Sequence, residues 1–107
     1  MSTYPPTMCG LATFTSSLRG AIAENRGSDS GLDVVELANG HPPSMARPEV
    51  VGSLDPSDMF SVRLAADRLS DYDAVIIQHE YGIWGPDMGL PVVEFVERIQ
   101  TPLITTL

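Results

Sequence analysis

Ala74-Val75-Ile76-Ile77 is an unbroken apolar run set between Asp71-Tyr72-Asp73 and Gln78-His79. Four consecutive apolar residues do not fit a sheet with one wet face. They mark a strand covered on both faces, the usual state of strands in parallel sheets. A chain with such a strand needs packing layers on both sides of its sheet, and 107 residues allow this within one domain.

The flanking segments have the periodicity to supply those layers. Leu11, Phe14, Leu18 and Ile22 recur at helical spacing and define one apolar face. Gly27, just after Arg26, is placed to end that helix. A second helix start is marked by Asp55 as cap, Pro56 at the first helical position and Asp58 three residues after the cap. Met59, Val62, Ala66 and Leu69 line its inner face. A third helix opens near Pro91, with Val92, Phe95, Val96 and Ile99 inward. Strands are expected over Leu32–Ala38, at Glu49-Val50-Val51, over Ala74–Ile77 and over residues 102–107. Residues 1–10 read as a loop, because only four residues precede Pro5-Pro6, and residues 39–48 and 79–89 read as loops too. Strands alternating with helices predict an α/β fold: a Rossmann-like parallel sheet flanked by helices, incomplete at its first strand and ending within a strand.

Composition narrows the function. Six basic residues, all arginine, against 14 Asp and Glu give a net charge of −8. Nucleic-acid binders neutralise phosphates with basic patches, and anionic membrane surfaces attract the same kind of patch. Neither is expected as a partner. One cysteine forms no internal disulfide, no signal peptide opens the chain, and no apolar run approaches the ~20 residues that span a bilayer. These features point to the cytoplasm. Cys9, His41 and His79 lack metal-ligand spacing, so no metal is expected. Cys9 reads as a small buried hydrophobe.

Two segments are candidates for chemistry. In parallel sheets, ligands bind beyond the carboxyl ends of the strands. Pro5-Pro6-Thr7-Met8-Cys9-Gly10 runs into a helix carrying Thr13, and a helix N-terminus with a close-approach glycine at Gly10 can hold a phosphate. A plain turn leading into an ordinary helix accounts for the same residues. No P-loop and no G-x-G-x-x-G is present. The second segment, Gln78-His79-Glu80-Tyr81-Gly82-Ile83-Trp84-Gly85, groups polar and aromatic residues at the end of the buried strand. His79 can act as a base or hydrogen-bond a sugar hydroxyl, and Glu80 can accept from hydroxyls. Tyr81 and Trp84 offer flat faces against which sugars pack. The competing reading is that His79 and Glu80 hold the loop and Trp84 fills the edge of the core.

The string Pro5-Pro6-Thr7-Met8-Cys9-Gly10-Leu11-Ala12-Thr13-Phe14-Thr15 resembles the opening loop and first helix of family 4-type glycosyltransferases of the GT-B fold. Gln78 to Gly85 is similar to the "QHE[YF]GI[FW]G" segment of one bacterial branch, and Pro102-Leu103-Ile104-Thr105-Thr106-Leu107 to its "P-[VL]-[VI]-T-T-L-H-T" strand. The resemblance implies a retaining transferase that moves a sugar from a nucleotide-sugar donor to the hydroxyl of an acceptor sugar or polyol. It implies two Rossmann-like domains, no metal or other cofactor, and the nucleotide sugar as co-substrate. Gly10 and Thr13 would then lie toward the donor phosphates. His79 and Glu80 would carry the chemistry on the acceptor side, with Tyr81 and Trp84 binding substrate. Residues 1–107 correspond to part of the N-terminal, acceptor-side domain, inactive without the C-terminal donor-binding domain. A non-catalytic Rossmann-like module that binds a ligand or partner is the alternative, and a flavodoxin-like phosphate binder is a third.

Overall fold

The computed structural model describes residues 1–38, 47–85, 87 and 89–106. The expected loop over 39–48 lies largely outside the described residues, as does His41. The element order is α1 (Gly10–Arg26), β1 (Val34–Leu37), β2 (Val50–Leu54), α2 (Met59–Leu69), β3 (Val75–Gln78), a 3-10 turn (Tyr81–Trp84), α3 (Leu90–Arg98) and β4 (Leu103–Thr106). This is a small mixed α/β domain. β1 pairs in parallel with β2, and β3 in parallel with β4. Among the described residues, no helix is long and apolar enough to cross a membrane.

The amino-terminal residues differ from the loop expected over 1–10. Ser2 forms a parallel bridge with Glu36 of β1. Its amide donates to Val35 O at 3.2 Å, and its carbonyl accepts from Leu37 N at 2.9 Å. On the other side, Met1 O accepts from Gln78 N at 3.1 Å, and the Met1 amino group donates to Ile76 O at 2.5 Å. Two residues, Met1 and Ser2, are thus enough to hydrogen-bond to both two-stranded sheets. Ser2, Thr3 and Tyr4 are all buried.

The apolar run is fully covered on one face only, since Ile76 on the other is half-buried and Ala74 is exposed. Val75 and Ile77 are buried and join the core with Leu54, Val62, Leu69, Trp84 and Phe95. β1 is buried at all four positions, including Glu36. Helical periodicity placed some side chains wrongly. In α1 the buried residues are Ala12 and Thr15, whereas Phe14 is 55% exposed. In α3, Pro91 and Phe95 are buried, but Val96 is 45% exposed. Both helices have apolar residues over more of their circumference than the sheet covers. Met59, at the start of α2, is 36% exposed.

Helix ends follow local chemistry. Gly27 takes φ 68°, and its N–H bonds back to Ala23 and Glu24, closing α1 as the sequence indicated. The start of α2 is shifted. Asp58, not Asp55, is the cap, with its carboxylate accepting from Phe60 N at 3.0 Å. Asp55 instead closes a turn, accepting from Ser57 N and Ser57 Oγ at 2.9 and 2.6 Å. Pro56 therefore sits in that turn, ahead of the helix. Asp58→Ala is expected to lower stability by about 1 kcal/mol, the usual worth of an N-cap, read as a lower urea midpoint at unchanged m-value. Asp55→Ala should leave α2 capped. Arg98 of α3 reaches Asp67 of α2 through two hydrogen bonds of 2.7 and 2.8 Å, and Arg63 reaches Glu94 at 2.6 Å. Such exposed pairs set the register of the two helices more than they stabilise them.

Candidate functional site

β3 delivers the second candidate segment to the carboxyl edge of the sheet. Strand pairing continues one residue past β3, with His79 N donating to Thr106 O at 2.9 Å. The His79 side chain is half-buried, and its ring centroid lies 6.5 Å from that of Trp84 at a tilt of 49°. Glu80 is exposed and precedes the 3-10 turn, with its carbonyl accepting from Ile83 N at 3.3 Å. Its carboxylate is therefore open to a ligand. The side chain of Tyr81 lies outside what the structure describes.

Trp84 corrects the sequence expectation. It is fully buried, part of the central core cluster, and its indole face is covered by protein. The reason is the turn itself. A 3-10 helix closes in three residues, so Ile83 and Trp84 fold back beneath the strand end. Gly85 then leaves at φ 80°, a conformation that L side chains rarely adopt, close beside Pro56. Trp84 supports the loop that carries His79 and does not present a surface to a sugar.

The first candidate segment leaves the sheet at the neighbouring position. Ser2 Oγ donates to Gln78 O at 3.4 Å, so Thr3 and Tyr4 exit alongside His79 and Glu80. Tyr4 is anchored by its hydroxyl, which donates to Glu49 Oε1 at 3.1 Å, and the Arg47 guanidinium lies 5.6 Å from its ring centre. A hydrogen bond from the Glu49 backbone, together with one from the Tyr4 hydroxyl and the positive charges of Arg19 and Arg47, holds the Glu49 carboxyl below its ordinary range. The chain then reaches the N-terminus of α1 at Cys9.

Cys9 is not the buried hydrophobe expected. It is the N-cap of α1, with Sγ accepting from Ala12 N at 3.4 Å and lying 3.4 Å from Thr3 Oγ1. Gly10 is exposed, and a Cβ there would meet nothing within 4 Å. The approach to its backbone is open. Thr13 is exposed, with Oγ1 donating to Cys9 O at 3.3 Å, which turns the hydroxyl back into the first turn.

Gln78 opens the second candidate segment, but the sequence assigns it no role. It is 3% exposed, and its Oε1 accepts from Thr106 Oγ1, but its Nε2 has no hydrogen-bond partner among the described residues. The signal was present: Gln78 is the first polar residue after four apolar ones, which places a buried amide at the strand end. Trp84 Nε1 is likewise without a partner among the described residues. No group of three or more His, Cys, Asp or Glu positioned to hold a metal occurs among the described residues. No protein-family model matches the chain, and no curated protein or solved structure matches it.

Proposed function

We propose that the chain is the acceptor-side part of a retaining glycosyltransferase of the GT-B type, transferring a sugar from a nucleotide-sugar donor to an acceptor hydroxyl. The observation that carries the reading is the adjacency of the two motif-bearing segments. The bonds of Met1 and Ser2 to β3 and β1 support an arrangement in which Pro5–Gly10 and His79–Gly85 leave the strands side by side. Residues far apart in sequence are thereby brought to one rim, where open α/β sheets bind ligands.

The same bonds support a finer description of the fold. Residues 1–3 act as a short central strand, and the spatial order becomes β2, β1, residues 1–3, β3, β4. Numbered along the chain, this is the order 3-2-1-4-5 of a doubly wound Rossmann half. In this reading the open backbone at Gly10 faces the donor phosphates, with Thr13 in the turn behind it. His79 meets the acceptor hydroxyl, where an imidazole can take a proton or hold the oxygen in line. Glu80, exposed beside it, accepts from sugar hydroxyls, and Tyr81 is the aromatic residue left to pack on the sugar. The donor's nucleotide would be held by a partner domain of the same fold type. The setting is cytoplasmic, where nucleotide sugars serve as co-substrates.

His79→Ala, measured in the chain combined with a donor-binding domain, is expected to lower kcat/KM on the order of 10²-fold, the usual contribution of a positioned acid–base group. Its melting temperature should change little, because the imidazole is only half-buried. Unchanged kinetics together with a lowered melting temperature would make His79 a structural residue and sink the assignment.

A further inference from the structure

A groove of about 330 Å³ lies on the outer surface between the start of α2 and α3. Met59, Leu90, Pro91 and Val93 supply its apolar surface, and Asp87, Glu94 and Glu97 supply three carboxylates. No arginine is among its described lining residues. α3 has two apolar faces. Pro91 and Phe95 are buried toward the core, whereas Leu90 and Val93 are at least half exposed. Leu90, Val93, Glu94 and Glu97 stand at i, i+3, i+4 and i+7, so they share one side of the helix.

Helix chemistry accounts for only part of this charge. Asp87 precedes α3, where the positive end of the helix dipole favours a carboxylate. Glu94 is paired with Arg63 of α2 at 2.6 Å. Glu97 is next to last in α3, where the dipole favours a cation, and it lies one turn from the like charge of Glu94. Neither Asp87 nor Glu97 has an ion pair among the described residues. Leu90 to Glu97 covers about 10 Å of helix, or two turns, at 1.5 Å per residue. A small cation would meet one carboxylate and leave the apolar strip wet. A basic amphipathic helix carries an apolar stripe of the same length with cations at its sides. A second copy of this chain is a poor occupant. It carries the same charge of −8, and its Arg63 and Arg98 are already paired with Glu94 and Asp67.

We infer that this groove docks a basic amphipathic helix of a partner protein, with the helix's apolar stripe on Leu90 and Val93 and its cations against Asp87, Glu94 and Glu97. The net charge of −8 speeds encounter with a basic partner over a distance. The contact is small, so the complex belongs to the weak, transient class. The groove is built from residues 59–97 alone, and its occupancy is independent of the transferase reading.

The probe is acetyl-Lys-Leu-Ala-Lys-Leu-Leu-Lys-Ala-Leu-Lys-Ala-Leu-Leu-Lys-amide, whose leucines recur at helical spacing. It is expected to shift the backbone amide signals of Met59, Leu90, Val93 and Glu97 in NMR titration. Raising NaCl from about 0.05 M to about 0.5 M should weaken binding about tenfold, because exposed charges are screened. The double variant Asp87→Asn/Glu97→Gln should bind about tenfold less tightly, and so should Leu90→Ser/Val93→Ser. All four side chains are exposed, so the melting temperature should hold in both variants. Asp71→Asn/Asp73→Asn removes the same charge beyond the other end of α2 and should change affinity less than about twofold. The peptide with glutamate for every lysine should not bind. Absence of shifts at millimolar peptide overturns the proposal, as do shifts centred away from α2 and α3. Equal losses from the two charge-removing variants would reduce the binding to general attraction and overturn it as well. Concentration-dependent shifts at Leu90 and Val93 without peptide would make a second copy the occupant, against the proposal.

Discussion

Trp84→Ala is expected to lower stability by about 3–5 kcal/mol, the cost of truncating a fully buried large aromatic residue. Domains of this size are stable by roughly 5–15 kcal/mol in total, so much of the folded population is lost. Trp84 sits at the end of the 3-10 turn, inside the cluster that includes Leu54, Ile77 and Phe95. Alanine leaves a cavity there that the surrounding close-packed core fills only in part. Trp84→Phe is the informative companion. It keeps the ring in the core and removes an indole N–H that has no partner among the described residues. An unpaired buried donor costs about 1–3 kcal/mol, which offsets the smaller volume of phenylalanine. Trp84→Phe should therefore remain within about 1 kcal/mol of the parent by urea unfolding. A loss under 1 kcal/mol for Trp84→Ala would show that the indole is not a core element and would return it to the candidate sugar surface.

The second large effect is on pH. With a free amino group at Met1, burial lowers its pKa from 8.0 to about 5 in the folded chain. The folded state therefore resists protonation that the unfolded state accepts. Between pH 8 and pH 5 the unfolded chain binds more protons, so stability falls as pH falls. Above 8 the amine is neutral in both states and the penalty is absent; below about 5 it is charged in both and the penalty is complete. Three pH units correspond to about 4 kcal/mol. The carboxyls of Asp55 and Asp67 are held low by hydrogen bonds from Ser57 and Arg98, so their protonation weakens the fold only at still lower pH. Acetylating Met1 should flatten the profile between pH 5 and 8. Urea midpoints that fall equally with and without acetylation would show that another group governs the window.

Much of the local structure was legible because its causes are local. Gly27 ends α1 since a left-handed residue is needed after Arg26 and glycine adopts it freely. Val75 to Ile77 form a strand, as their apolar, β-branched run indicates. The helix spans around Leu11, Met59 and Pro91 follow from periodicity and punctuation. The cap of α2 was misplaced by three residues, because Asp55 and Asp58 are chemically equivalent caps. The choice between them depends on Ser57 and Ser61, which hold Asp55 in the preceding turn.

The site was legible only as a list. His79 and Glu80 could be placed at a strand end from the apolar run before them. Whether their neighbours face solvent could not be read, since Trp84 suits a sugar platform and a core equally well by residue type. Its burial depends on where the 3-10 turn folds relative to α2 and α3. Phe14 and Val96 fail in the opposite sense: each lies on an apolar stripe, but the sheet is narrower than the stripe.

The sequence by itself determined the approximate spans of the three helices and of the strands from β1 to β4, and the net charge of −8. Those follow from residue type and spacing within a few positions. The tertiary structure alone decided that Met1 hydrogen-bonds to β3 and Ser2 to β1. Pairing across a sheet is made by backbone groups identical in every residue, so no side-chain pattern in a segment that short could announce it.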